Sequence, residues 1–219
     1  MIRKLLPKPL KRLARKSIKA VKYRYRRELI KIPVARNENI KIILGAAETF
    51  QDGWYSSNEN WLDIANPAHW QNVMQGKQLL THAVAEHVFE HLTYDECQIA
   101  LKNIYQSMKS GGRLRIAVPD GYNPNPEYIR HVGINGIGDD ASDHKQLLNV
   151  DVLSKLLTDA GFAATAVEYY DKDGTLHTNP FNKEDGYIKR SRNNIKSGEK
   201  PAWSFPDAET SLIVDGLKG

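Results

Sequence analysis

A chain of 219 residues that is 41% hydrophobic has room for one α/β domain plus an appendage; two full domains and wholesale disorder are excluded. Its one cysteine, Cys97, rules out an internal disulfide framework and a multi-cysteine zinc site, and no run reaches the roughly 18 apolar residues of a membrane-spanning helix. The net charge of +5 is uneven: residues 1–31 hold 13 Lys and Arg against one acid (+12), and the rest holds 18 bases against 25 acids (−7).

Residues 1–36 read as a basic amphipathic arm and residues 37–219 as the domain. Pro7 and Pro9 disfavour helix at the start, but neither Gly nor Pro interrupts Leu10 to Ile32. Leu6, Leu10, Leu13, Ala14, Val21 and Tyr25 recur near helical spacing, with Lys and Arg between them. A thin apolar stripe between basic faces suits an anionic membrane surface, here the inner face of a membrane bounding a reducing cytoplasm. A nucleic-acid backbone is the less favoured partner, because the domain itself is acidic. The remaining reading docks the helix on the domain or on a second subunit of an oligomer.

The domain opens with IKIILG (40–45), an apolar run ending in glycine that reads as a buried strand. Trp54–Ser57 is a second strand candidate, Pro67–Met74 a short helix and Gln78–Val84 a strand. Tyr94–Met108 has helical spacing, with a stop at Ser110-Gly111-Gly112. RLRIAV (113–118) is the clearest strand, closed by Pro119. A helix over Val150–Ala160 precedes strands over Ala163–Tyr170 and Thr210–Leu217, and residues 171–207 form a long polar excursion before the last one. Alternating strands and helices predict a mostly parallel sheet with helices on both faces.

Three segments in this order resemble the class I S-adenosylmethionine-dependent methyltransferases: IILGAAETFQDGW (42–54), AEHVFEHL (85–92) and MKSGGRLRIAVPDG (108–121). DHKQLLNVDVLSKLLTDAGF (143–162) and TSLIVDGLK (210–218) are similar to a bacterial, type 11-like branch of them. The resemblance covers about residues 40–218. It implies a Rossmann-like class I methyltransferase fold and S-adenosyl-L-methionine as cofactor, with a methyl acceptor that no motif names. It places Gly45, followed by Ala46 and Ala47, in the loop that lets backbone approach the cofactor. Asn58 stands where an acid usually accepts the ribose hydroxyls. Asp63 would meet the adenine amino group, Ile64 the face of the ring, and Glu86 and His87 the methionine end.

His87, Asp120 and His144 are the candidate catalytic residues. Asp120 ends a strand, so its carboxylate sits at the carboxyl edge of the sheet; Pro-Asp-Gly is equally turn chemistry. His144 lies in the loop before a helix, where a histidine serves either as a base near neutral pH or as packing. Glu86-His87-x-x-Glu90-His91 sets two histidines four apart, as two ligands on one helix face would be. The zincin order is absent, however, and the resemblance makes this a strand-end loop, so no metal is expected. The single glycine at 45 and the uncharged Asn58 depart from the family pattern. They motivate a second reading, a methyltransferase-like fold that has lost catalysis and serves as a binding or scaffold protein.

Overall fold

The apolar run Ile40–Leu44 forms β1 of a seven-stranded sheet. The structure, a computed structural model, describes residues 23–47, 49–138, 141–194 and 211–219. The other strands are β2 (Tyr55–Ser56), β3 (Leu80–Glu86), β4 (Met108–Pro119), β5 (Phe162–Tyr170), β6 (Leu176–Thr178) and β7 (Ser211–Lys218). Their order is β2-β1-β3-β4-β7-β5-β6. β1 pairs in parallel with β2 and β3, and β3 with β4; β7 runs antiparallel between β4 and β5. From β1 the chain moves outward to β2, then returns to β3 on the other side of β1. That reversal opens a crevice beyond the carboxyl ends of β1 and β3.

Strand alternation sorts the core into two clusters. Ile40, Ile42 and Leu44 share one cluster with Leu114, Ile116 and Val214, and helices furnish the rest of it. These are α2 (Pro67–Met74), α3 (Tyr94–Ser107) and α5 (Val150–Asp159), through Trp70, Leu101, Ile104 and Leu156 among others. Each helix starts where its cap directs. Asn66 accepts from the Ala68 amide, Thr93 and Glu96 close a capping box, and Asn149 accepts from the Val152 amide. The opposite cluster gathers Ile43, Val84, Ala117 and Ile213 under Trp54, Phe181 and Ile188. Those three come from connections: Trp54 from the β1–β2 link, which is too short for a crossover helix, and Phe181 and Ile188 from the segment after β6.

Three boundaries differ from the sequence reading. Helix α1 covers residues 23–36 and runs through Pro33, ending on Asn37 in the left-handed region (φ 56°) with the Glu38 amide donating to the Pro33 carbonyl at 2.9 Å. Ile30 and Val34 of this helix are buried in the main core, whereas Tyr25 is 64% exposed. The stripe that docks is therefore Ile30 and Val34, and the last turns of the arm pack as part of the domain. The rest of the arm, residues 1–22, lies outside the described residues. β3 is shifted two residues from its predicted span. β4 starts at Met108, directly after α3, because Ser110-Gly111-Gly112 loops out within it. Leu80 faces Met108 but His82 faces Arg113, leaving residues 109–112 opposite one residue, with Gly111 at φ 73°. The excursion after β5 adds the short β6, antiparallel to β5; residues 195–210 are outside the described part. α4 (Pro126–Val132) was not anticipated.

The excursion is fastened through Arg115, which is 1% exposed on β4. Its Nε and Nη2 donate to the two oxygens of Asp215 on β7 at 2.7 and 2.8 Å. Nη1 donates to the Gly186 and Asn182 carbonyls, and the guanidinium lies 4.1 Å from the Phe181 ring centroid. A fork this well matched offsets desolvation only while every partner is present. Arg115→Ala is expected to destabilise the protein by about 3–5 kcal/mol in urea denaturation. Pairing it with Asp215→Leu should recover part of the loss, since the stranded carboxylate is then gone too.

Candidate active site

The crevice at the strand-order reversal is a cleft of about 700 Å³. The turn after β1 and the turn after β3 form its floor. Gly45 adopts φ 59°, and a Cβ placed there would sit 2.5 Å from Val88 Cγ2, so only glycine lets the two turns lie this close. Ala47 is also left-handed (φ 43°) and lines the cleft, whereas Ala46 is buried beneath it with its amide donating to the Ser57 carbonyl.

One wall descends from β2. Asn58 is buried there; its Oδ1 accepts from the Asn60 amide at 3.1 Å, while its Nδ2 has no hydrogen-bond partner. Asp63 and Ile64 follow on a segment that is pinned from behind. The Ile64 carbonyl accepts from Trp70 Nε1 at 2.9 Å and from Asn103 Nδ2 at 3.0 Å. Asp63 Oδ1 accepts from the Ala65 amide, and its own amide donates to His69 Nδ1. This pinning presents Asp63 and Ile64 at the rim in a set geometry.

The facing wall carries His87, Val88, His91, Leu92 and Lys145. His87 has φ 55°, and its amide donates to the Ala117 carbonyl, which turns the chain sharply off β3. Its Nδ1 lies 2.9 Å from Oε1 of Glu90, a carboxylate 1% exposed. Burial pushes the Glu90 carboxyl up, but His87 and then His91 outweigh it and hold it below its ordinary value. At the mouth, Lys145 donates to Glu96 at 2.8 Å and, with the Thr93 cap, holds that carboxyl down at about 2.

Gly45, Ala47, Asn58, Asp63, Ile64 and His87 of the predicted site therefore meet in one cleft. Ala46, Glu86, Asp120 and His144 do not line it. Glu86 turns its carboxylate to the excursion and accepts the Lys189 and Arg190 amides at 3.1 and 2.9 Å. Asp120 is fully buried, and its two oxygens accept the Tyr122 and Tyr170 amides at 2.9 and 2.7 Å. Burial pushes its carboxyl up to about 6. It staples the end of β4 to β5 and does not face the cleft. His144 is buried with Nδ1 2.7 Å from the Val132 carbonyl and its ring edge-on to His91, at a centroid distance of 4.8 Å. Sequence reasoning missed Tyr23, His69 and Lys145 as lining residues, since nothing in their spacing marks which helix or loop ends at the cleft. Cys97 is fully buried below this wall; its thiol donates to the Phe89 carbonyl, and burial pushes it up to about 12.

No family model matches this chain, and no curated protein matches its sequence. Solved structures do resemble it. A SAM-dependent methyltransferase from Archaeoglobus fulgidus is 16% identical with a TM-score of 0.50, over 90% of this chain and 96% of that one. A SAM-dependent methyltransferase from Thermotoga maritima, described as a possible histamine N-methyltransferase, is 15% identical over 85% of this chain and 76% of its own, with a TM-score of 0.42. Human N-acetylserotonin methyltransferase in complex with SAM is 13% identical over 81% of this chain and 39% of its own, with a TM-score of 0.43. The likeness to the first is one of fold: the sheet is that of the class I methyltransferases.

The structural role of Asp120 has a pH signature. Its folded pKa of about 6 lies above its ordinary 3.8, so the native state holds an extra proton between those values. Stability from this group is complete below pH 3.8 and is lost as pH rises through about 6. Asp120→Ala should remove that slope from the pH dependence of the unfolding free energy. It should also cost about 2 kcal/mol at neutral pH, because it strands two buried amides, while ligand affinity in the cleft stays unchanged.

Proposed function

We propose that this protein is an S-adenosylmethionine-dependent methyltransferase whose cofactor occupies the cleft beyond β1, β2 and β3. The observation that carries the reading is Asn58, whose buried Nδ2 lacks a partner at the position where the resemblance expects a ribose contact. A buried amide donor without an acceptor costs about 1–3 kcal/mol, and a ribose oxygen would satisfy it. The approach that Gly45 permits suits a ligand lying against backbone. Asp63 and Ile64, held at the rim, offer an acceptor and an apolar face suited to an adenine ring.

When bound, the cofactor supplies an electrophilic methyl group on a sulfonium. The protein's work is then to align the acceptor in line with that bond and to exclude water. His87 is the cleft residue suited to take up the proton that the acceptor's nucleophilic atom releases, and the Glu90 carboxylate beside it would steady the resulting imidazolium. Asp120 and His144 do not line the cleft and so do not touch the acceptor directly.

Charge supports a membrane-facing acceptor in cell-surface glycan or lipid metabolism. The basic segment of residues 1–22 precedes Tyr23, and Tyr23 lines the cleft. The second reading, a binding or scaffold protein without catalysis, draws on the single glycine of the β1 turn and the uncharged Asn58.

Calorimetric titration of the full chain with S-adenosylmethionine and S-adenosylhomocysteine should show one saturable site. Asp63→Ala should weaken it about tenfold, as loss of one charged hydrogen bond does, and Gly45→Ala should abolish it. Absence of binding at millimolar cofactor would remove the enzyme reading in favour of the scaffold. Deleting residues 1–22, which leaves the core residues Ile30 and Val34 in place, should abolish flotation with anionic liposomes. Equal flotation of both proteins would exclude the membrane.

A further inference from the structure

Behind the His87 wall, Glu90, His91 and His144 bring one potential ligand atom each within 4.8 Å of one another. Three features of this cluster are unusual for ordinary packing. Glu90 is 1% exposed, and neither of its oxygens receives a hydrogen bond. His87 Nδ1 approaches Oε1 at 2.9 Å but is not aligned as a donor. The buried His91 Nδ1 likewise lacks a hydrogen-bond partner, although Asp143 Oδ1 lies 3.0 Å away. His144 is the complement: its Nδ1 contacts the Val132 carbonyl at 2.7 Å, which fixes that nitrogen as the protonated one and leaves Nε2 as a lone-pair donor.

Buried polar groups are almost always satisfied, and a buried carboxylate without hydrogen bonds is among the costliest exceptions. Each of these groups can donate an electron pair to a metal ion, so one ion among them would partner the carboxylate and the ring nitrogens together. A carbonyl holding the far nitrogen of an imidazole is the usual support of a metal-bound histidine.

We propose that Glu90, His91 and His144 bind a divalent transition-metal ion of the zinc class. One carboxylate oxygen and two imidazole nitrogens suit zinc, cobalt, iron or manganese and fit poorly with magnesium or calcium, which take oxygen ligands. Tetrahedral bonds of 2.0–2.1 Å would set the ligand atoms about 3.4 Å apart, so side-chain adjustments of an ångström or less complete the site. This proposal departs from the expectation that the segment holds no metal. The motif gains its third ligand from His144, more than fifty residues away in the chain.

His91 and His87 also line the cleft, so a ligand position left open on that side would face the bound acceptor. Where the cleft serves methyl transfer, as proposed above, the ion would hold an acceptor oxygen and lower its pKa. That consequence rests on the methyltransferase reading; the metal site does not.

The test uses tag-free full-length protein stripped with chelator, then titrated separately with Co²⁺ and Zn²⁺ in the absence of S-adenosylmethionine. One equivalent is expected, with the visible d–d absorption of four- or five-coordinate Co²⁺. Glu90→Gln and His144→Ala should each weaken binding at least about tenfold, and His177→Ala, on the distant β5–β6 hairpin, should leave it unchanged. Circular dichroism checks that each variant folds; if His144→Ala does not, the isosteric Glu90→Gln carries the comparison. No saturable binding by the unmutated protein, or affinity in Glu90→Gln and His144→Ala equal to that of the unmutated protein, overturns the proposal. Metal binding without S-adenosylmethionine binding would overturn only the methyl-transfer reading.

Discussion

The cleft exists because two turns, one leaving β1 and one leaving β3, are allowed almost to touch. Gly45 is the enabling residue, since both its positive φ and the Val88 methyl above it forbid a side chain. With the turns this close, Asn58 and His87 line one cleft. Glu90 is drawn under the second wall. A side chain at position 45 would separate the walls and disturb the ligand cleft and the buried carboxylate together. The strand-order reversal supplies the location, as in other open α/β sheets, and the glycine sets its depth.

Burial then divides the acidic residues by task. Asp63 stays half-exposed at the rim, where a carboxylate can meet a ligand. Glu86, Asp120 and Glu168 are turned inward, and each is satisfied at least in part by main-chain amides of another segment. These three acids, with Arg115, tie the long excursion and the last strands to the sheet. They perform the fastening that crossover helices supply elsewhere in doubly wound folds. The carboxylates at the carboxyl end of this sheet are thus mostly structural, and among the described residues Glu90 alone of them is buried without hydrogen bonds.

The fold was legible where period and punctuation agreed. Pro67–Met74 matched its predicted span because Asn66 and Pro67 are unambiguous start signals, and Val150–Asp159 was placed almost as well by the apolar spacing that ends at Gly161. The α3–β4 junction was misread because glycines mark a turn without saying whether it ends a strand or bulges within one. The site was legible where it follows directly from a strand end, as at Gly45, Asn58 and His87. It was not legible where position along the chain says nothing about direction in space. Glu86 and His87 are neighbours, yet Glu86 ends β3 facing the excursion, while the left-handed turn at His87 directs the next side chain into the cleft. His144, whose loop suits either a base or a packing residue, stands beside Glu90 and His91 and does not line the cleft.

The grip on the excursion has a consequence for how this protein can change over generations. Glu86 and Glu168 hold the amides of residues 189, 190 and 192, which every amino acid but proline possesses. These amide contacts therefore remain available whichever side chain other than proline stands at the three positions. A lineage exploring new partners on this flank can do so by drift, without first losing and rebuilding the fold.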